Sequence, residues 1–396
     1  MILIGTGFLF WVIAARLYRT AQVGLATSLY SLLTLLSGLS LLGLTSGLMR
    51  FLPLSKSRSE KINSSILITA SLSFLLAIIA VIALPRLSPQ LAFVTHNKFF
   101  FISFILFTVA QTLNQLIEAV LIALREGRQI LIKNSVLAIL KLLLPSVLVI
   151  LGAYGIFASI QLAVTISAIY GFIIVAILHK VRYRPAFHKP SIEQMSYFSL
   201  GNYVSGLASS VPAYILPLFI TNTLGPASAA YYYIVATTAN VLFMIPGVIT
   251  QNLLVEGSYQ EEEIKEHTRK AMRLILTILI PGIITILLFG NYVLLVFGKH
   301  YSTEGINLLR LYAISGIFVG LNYVFGTLLA IFHHIKLLIF LNSISSVLLL
   351  FLSFIFLHLG LIGLGYAAIL AQILLLLLYI ISFYKIGKAP ILLSLL

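Results

Sequence analysis

The chain has 396 residues, of which 60% are hydrophobic and only 9% are charged, and its mean hydropathy is +1.11. A soluble domain has about 25% charged residues, so a chain this apolar cannot cover its surface with polar groups and its solvent must be largely lipid. We attribute the net charge of +15 to basic residues that flank membrane spans and not to nucleic-acid binding. The absence of cysteine excludes disulfides and zinc–thiolate sites.

Twelve hydrophobic segments follow one another along the chain. A bilayer core of about 30 Å needs roughly 20 apolar residues per helix, and each segment is continuously apolar, without the alternation of a barrel strand. The first half contains Met1–Ala15, Gln22–Leu48, Ile62–Leu84, Phe99–Leu124, Ile130–Leu151 and Tyr154–Leu178. The second half contains Tyr197–Thr221, Ser228–Leu254, Ala271–Phe297, Gly305–Ile331, Lys336–Leu357 and Ile362–Phe383. The sequence predicts an all-α polytopic membrane protein with about 12 transmembrane helices.

Basic residues predict the orientation of these spans. The connections after the even-numbered spans, counted with the first six residues of the span that follows each and with the C-terminus, account for 18 of the 25 Lys and Arg, and those after the odd-numbered spans, counted in the same way, account for 6. Basic residues concentrate on the cytoplasmic side of a membrane. We therefore expect a multi-pass protein of the cell (plasma) membrane with both termini in the cytoplasm.

An internal repeat relates the two halves at an offset of 208 residues. The matched pairs are Leu113-Asn114 with Leu321-Asn322, Asn134-Ser135 with Asn342-Ser343, Arg128 with Lys336, and Gly152 and Gly155 with Gly360 and Gly363. Six spans per repeat predict two parallel six-helix lobes around a central cleft. We expect an N-terminal lobe over residues 1–178, a cytoplasmic linker over 179–195 and a C-terminal lobe over 196–386.

The first predicted span is shorter than its counterpart in the repeat. It runs for about 15 residues before Arg16, whereas the seventh runs for about 25 before Gly225. The sequence leads us to expect either a true start upstream of Met1 or a shortened first helix, and the latter opens the alternative of an inactive paralogue.

Polar and charged side chains within the predicted spans mark a candidate site. Charged groups are costly in a bilayer and usually face a bundle interior or a wet cavity. Span four carries Asn114, Gln115 and Glu118 on one helical stripe, and span five carries Lys141 near the membrane middle. Two interpretations stay open: Lys141 binds an anionic headgroup while Glu118 tunes or couples the site, or Glu118 and Lys141 form a structural ion pair.

Three further residues at or near span ends are candidates for substrate contact. Arg16 ends span one on the outer side, and Arg50 ends span two on the inner side. Most such arginines anchor a helix at the membrane surface, so anchoring is the alternative for both. Asn202 lies in the cytoplasmic half of span seven, where it is a candidate for contact with a substrate headgroup.

No catalytic constellation is recognisable in the sequence. It lacks a Gly-Lys-Ser/Thr phosphate-binding loop, and its carboxylates are too few and too scattered for a metal or glycosyl-transfer site. We therefore expect a protein that is not an enzyme, with no cofactor, no metal and no nucleic-acid partner.

Short motifs along the chain carry a family resemblance. They include Ala15-Arg16-Leu17, Val23-Gly24, Leu48-Met49-Arg50-Phe51, Leu224-Gly225-Pro226, Phe297-Gly298 and Leu308-Leu309-Arg310. In order and spacing these motifs resemble the polysaccharide, or oligosaccharide-lipid, flippase family, whose superfamily also holds multidrug extrusion antiporters and lipid II flippases. The resemblance implies alternating access and a cationic cavity for polyprenyl-diphosphate-linked sugars, with membrane lipids and glycan-assembly enzymes as further partners.

On this resemblance the expected function is a lipid-linked oligosaccharide flippase. Arg16, Arg50 and Lys141 are the cations expected to compensate a diphosphate, and Glu118 is the expected coupling group. One alternative is a multidrug or cation antiporter, for which Glu118 is the acidic group within the predicted spans. Another is a membrane glycan polymerase or ligase, which the short outer loops disfavour.

Overall fold

The computed structural model describes residues 2–55, 57–259 and 264–387, apart from the side chains of residues 2–4, 196–198, 200–202, 205 and 258–259. Over these residues the chain forms α-helices joined by short connections, and no β-strand is present in this part of it. Helices satisfy their backbone hydrogen bonds internally, which is the requirement that a lipid solvent imposes. The all-α prediction is confirmed.

The helices are numbered in chain order. The first eight are α1 (Ile2–Leu17), α2 (Thr20–Ser40), α3 (Leu44–Phe51), α4 (Arg58–Leu87), α5 (Phe93–His96), α6 (Lys98–Ala123), α7 (Gly127–Val147) and α8 (Ala153–His179). The remaining six are α9 (Lys189–Thr223), α10 (Pro226–Tyr259), α11 (Ile264–Leu295), α12 (Lys299–Ile331), α13 (Ile335–Phe356) and α14 (Leu361–Lys385).

Ten of the described helices are long and apolar enough to cross a membrane, namely α2, α4, α6, α7, α8 and α10 to α14. The chain is therefore a multi-pass α-helical membrane protein. α1 contains a shorter apolar stretch, Gly5–Leu17, and α9 is a helix of 35 residues. The count of twelve spans stays a prediction.

The predicted second span, Gln22–Leu48, is divided in the structure. α2 ends at Ser40, and α3 begins at Leu44 after a three-residue turn. Gly43 has φ +75 and Leu42 has φ +48, so both lie in the left-handed region that ends a helix. Continuous hydrophobicity conceals this break because apolar residues occupy both sides of it.

Two compact units divide the chain, one over Met1–Ala230 and the other over Tyr231–Leu396. In the first unit, α9 packs along α2 and α3. The Tyr203 hydroxyl donates to Gly38 O at 3.0 Å near one end of this contact, and the Ser28 hydroxyl donates to Pro217 O at 3.0 Å near the other. The predicted lobes 1–178 and 196–386 stay a prediction.

The predicted linker is held against the start of α4. Three hydrogen bonds tie it there: Lys61 Nζ to Gln194 Oε1 at 2.7 Å, Asn63 Nδ2 to Arg182 O at 2.9 Å, and His188 N to Ser64 Oγ at 2.8 Å. Lys61 and Asn63 are each only 6% exposed. The segment that follows α8 is therefore fixed to the first unit by buried polar contacts.

The last three helices of each half show the same local geometry at the predicted offset. α6 ends at Ala123 and α12 at Ile331, and each is followed by a residue with φ +61, Arg125 and His333. Single 3₁₀ turns at Val149–Leu151 and Leu357–Leu359 then precede α8 and α14. The internal repeat thus has a structural counterpart within each unit.

Two hydrophobic clusters hold α6 in the first unit. One contains Leu116, Ile117 and Val120, and the other contains Phe104 and Phe107. Burial of these side chains fixes the rotation of the helix. The polar stretch between the clusters contacts Ser37 on α2 and Lys133 on α7.

Candidate functional site

The polar stretch of α6 contacts α2 through Ser37. The Thr112 hydroxyl donates to Ser37 Oγ at 3.0 Å, and Gln115 Nε2 donates to the same oxygen at 2.9 Å. Asn114 is 6% exposed, and its amide oxygen has no hydrogen-bond partner among the described residues. Gln115 is thus used in helix packing, whereas Asn114 keeps an unused acceptor.

The repeat reproduces this asparagine in the second unit. Asn322 is also 6% exposed, and its Nδ2 donates to Gln372 O at 3.0 Å and to Gln372 Oε1 at 2.7 Å. Its amide oxygen, like that of Asn114, has no partner in the described part of the chain. A buried polar atom without a partner is costly, so the pair Asn114 and Asn322 marks positions where water or a ligand would be stabilised.

Glu118 forms an ion pair with Lys133. Lys133 Nζ lies 3.1 Å from Glu118 Oε2, and Asn134 Nδ2 lies 3.3 Å from Glu118 Oε1. The Lys133 side chain is fully buried and the Glu118 side chain is 30% exposed. The alternative of a structural ion pair between Glu118 and Lys141 is therefore wrong, because the lysine that pairs with Glu118 is Lys133.

Lys133 is a residue that the sequence analysis missed, because it was counted among the basic residues of a cytoplasmic connection. The structure places it inside α7, fully buried. Glu118 lies five residues before the end of α6 and Lys133 six residues after the start of α7, so the tight connection brings them to equal depth. That near-equal spacing from the connection is the signal that identifies the pair.

Lys141 lies further along α7 and contacts α1. Its Nζ is 5.0 Å from the centroid of the Phe10 ring, a cation–π contact. Among the described residues, no carboxylate or hydrogen-bond acceptor contacts this ammonium. The cation is therefore available to an anionic ligand, and it is separate from the Glu118 pair.

The contact between α1 and α7 is fixed by Tyr18. Its hydroxyl donates to Pro145 O at 2.6 Å, one turn beyond Lys141 on α7. Burial raises the pKa of Tyr18 from 10.0 to about 12, and the hydroxyl is protonated and able to donate at neutral pH at either value. This bond keeps Phe10 beside the Lys141 ammonium.

The remaining candidates are not gathered around Lys141 by contacts that the structure records. Arg16 is exposed in the last turn of α1. Arg50 is exposed on α3 and not at the end of α2, and its guanidinium carbon lies 5.7 Å from the Phe51 ring centroid. The side chain of Asn202 lies outside the described residues.

No cluster of three or more His, Cys, Asp or Glu that could hold a metal ion is present in the described part of the chain. The chemistry that the site offers is electrostatic, since it consists of an ammonium without a counter-ion and buried amide oxygens. Such groups bind and orient a polar ligand.

Comparisons with known proteins agree with this architecture. A sequence profile for the family described as "Polysaccharide biosynthesis protein" matches residues 12–304. A search of curated proteins returns no match.

Two solved structures show the same fold. A multidrug resistance MATE family transporter of the MOP superfamily, in an inward-facing conformation, aligns with a TM-score of 0.70 at 16% identity over 98% of this chain and 96% of its own. The lipid II flippase MurJ, in an inward closed conformation, aligns with a TM-score of 0.71 at 15% identity over 96% of this chain and 85% of its own.

Proposed function

The chain belongs to the polysaccharide biosynthesis protein family, and we propose that it is a flippase for polyprenyl-diphosphate-linked oligosaccharide in polysaccharide or glycan assembly. Its fold is shared with a protein described as a lipid II flippase. Translocation of such a lipid needs no bond to be made or broken, so the protein supplies a path and compensating charge.

The Lys141 ammonium is the observation that carries this proposal. It lies within a membrane-spanning helix, and in the described residues its contact is the Phe10 ring, with no counter-ion. A lone cation in low dielectric is costly, and an intramembrane charge without a protein partner indicates a ligand of opposite charge. A diphosphate satisfies this requirement, whereas a neutral sugar or a cationic drug does not.

The proposed mechanism is alternating access by two lobes, residues 1–178 and 196–386, which are joined by residues 179–195. The protein would lie in the plasma membrane with both termini in the cytoplasm. The lipid tail stays in the bilayer, so the headgroup alone requires a polar path. Arg16 and Arg50 would bind the diphosphate as it enters or leaves. Asn114 and Asn202 would contact the sugar, and Gln115 would do so through its amide oxygen, since its amide nitrogen donates to Ser37.

Glu118 is proposed as the group that couples transport to an ion gradient. Its contact with Lys133 supports this role because a cation that binds Glu118 must displace a fully buried ammonium 3.1 Å away, which links ion binding to the packing of α6 and α7. The same pairing argues against the multidrug or cation antiporter, since the Lys133 charge offsets the negative charge that a cationic substrate would need.

Transport in reconstituted vesicles tests the proposal. We expect Lys141→Ala to lower the rate at which a fluorescent polyprenyl-diphosphate sugar crosses the bilayer by at least tenfold, because the headgroup then enters without its cation. Lys336→Ala, which removes an exposed lysine at the start of α13, is the matched control and should retain the wild-type rate. A Lys141→Ala protein that is equally folded and equally active would refute the assignment.

A further inference from the structure

A shallow groove follows one face of α11 and has two arginines at its first end. It encloses about 480 Å³ and is lined by Arg269, Arg273, Leu276, Thr277, Ile280 and Pro281. These positions recur at intervals of three and four, so they lie on one side of the helix. The groove is therefore cationic at one end and largely apolar along the rest.

The two arginines lie at the level of lipid phosphates. The stretch Leu274–Leu295 carries no charged residue and is long enough to cross a core that needs roughly 20 residues. Arg273 therefore lies at the edge of the hydrocarbon, and Arg269 lies one turn outside it. Ile280, which lines the groove, is exposed, as expected of a side chain in contact with lipid.

Both guanidinium groups are exposed and lack a carboxylate partner within the described residues. The neighbouring Lys270, by contrast, is paired with Glu266 at 2.6 Å. Two arginines one turn apart present planar donors that match the oxygens of a single phosphate.

We propose that this groove binds an anionic membrane phospholipid. Its phosphate would lie between Arg269 and Arg273, and one acyl chain would follow Leu276, Ile280 and Pro281. The apolar floor favours a lipid over free inorganic phosphate, and the net charge of the pair favours an anionic over a zwitterionic headgroup. The site is on α11, separate from the residues assigned to transport.

Lipid titration of the purified full-length protein, followed by native mass spectrometry, tests this assignment. We expect the wild type to prefer phosphatidylglycerol over phosphatidylcholine. Arg269→Gln with Arg273→Gln should weaken phosphatidylglycerol binding roughly tenfold to thirtyfold, the effect of losing two basic contacts with an anionic headgroup. The control is Arg182→Gln with Arg184→Gln, which removes the same charge from the exposed linker and should leave the preference intact.

A second variant distinguishes the contribution of the apolar floor to lipid binding from that of the two arginine charges. Leu276→Trp keeps both arginines but fills the floor, and it should weaken phosphatidylglycerol binding several-fold. If the double glutamine variant does not fold, Arg269→Lys with Arg273→Lys replaces it, with a several-fold loss expected because lysine cannot bind a phosphate in a bidentate manner.

Three outcomes would overturn the proposal. They are an unchanged preference in the groove variants, an equal loss in the linker control, and competitive displacement of phosphatidylglycerol by a polyprenyl diphosphate, which would assign the groove to the transported substrate. The Lys141→Ala transport rate is measured separately, so either proposal can fail without the other.

Discussion

Lys133 and Glu118 show how position within a hairpin decides the role of a charge. A lysine six residues into α7 resembles a basic residue of the membrane surface when it is counted in sequence. Contact with Glu118 at 3.1 Å and complete burial make it part of the protein interior instead. The pair is stable because each charge has a partner in a medium that would penalise either alone.

Removal of one member of this pair should cost more stability than removal of both. We expect Glu118→Ala to lower the free energy of unfolding by about 3 kcal/mol, since it leaves Lys133 buried and unpaired. Glu118→Ala with Lys133→Met should lose less, because the uncompensated charge is gone. Thermal unfolding in detergent measures these two variants and Lys133→Met alone, and strictly additive losses would show that the two side chains do not interact.

At the scale of elements, the glycines in the first turns of α8 and α14 explain why the repeat is visible in sequence. A Cβ on Gly155 would collide with Leu148 O, and one on Gly363 would collide with Phe356 O. Both glycines permit the same close approach after a 3₁₀ turn, and no other residue does so without displacing backbone. The matched motif is therefore a packing requirement that occurs twice.

Alanine at these two glycines should destabilise the protein to a similar extent. Gly155→Ala and Gly363→Ala each force backbone apart, and overpacking of this kind typically costs about 1–3 kcal/mol. Gly127→Ala is the matched control, because a Cβ there meets nothing within 4 Å. The midpoint of thermal unfolding should fall for the first two and stay unchanged for the control. A neutral Gly155→Ala would contradict the close approach.

At the scale of the whole molecule, the packing of α9 against α2 within the first unit bears on how transport proceeds. Ser28 Oγ lies 2.5 Å from Thr221 Oγ1, and a Cβ on Gly24 would collide with Pro226 O. α2 and α9 are thus in close contact at this end. If alternating access requires this contact to open, a bond across it should arrest transport.

A cysteine pair tests that requirement without further engineering, because the chain contains no cysteine. Ser28→Cys with Thr221→Cys places two thiols within the reach of a disulfide. We expect oxidation to reduce lipid translocation at least tenfold and a reductant to restore it, while each single variant stays active under both conditions. Full transport with the cross-link formed would mean that α2 and α9 move together.

Composition and the length of the apolar segments were sufficient to predict an all-α membrane protein, because a backbone in lipid must satisfy its hydrogen bonds internally. The paired asparagines and the paired glycines of the repeat could also be identified from the sequence, because the same residue type occurs at the same position of both halves. The break in the second span, the partner of Glu118 and the contact of Lys141 with Phe10 came only from the tertiary structure. These features depend on which helix faces pack against each other. Apolar helices of similar length do not encode this pairing locally, so it is determined by side-chain packing within the folded protein.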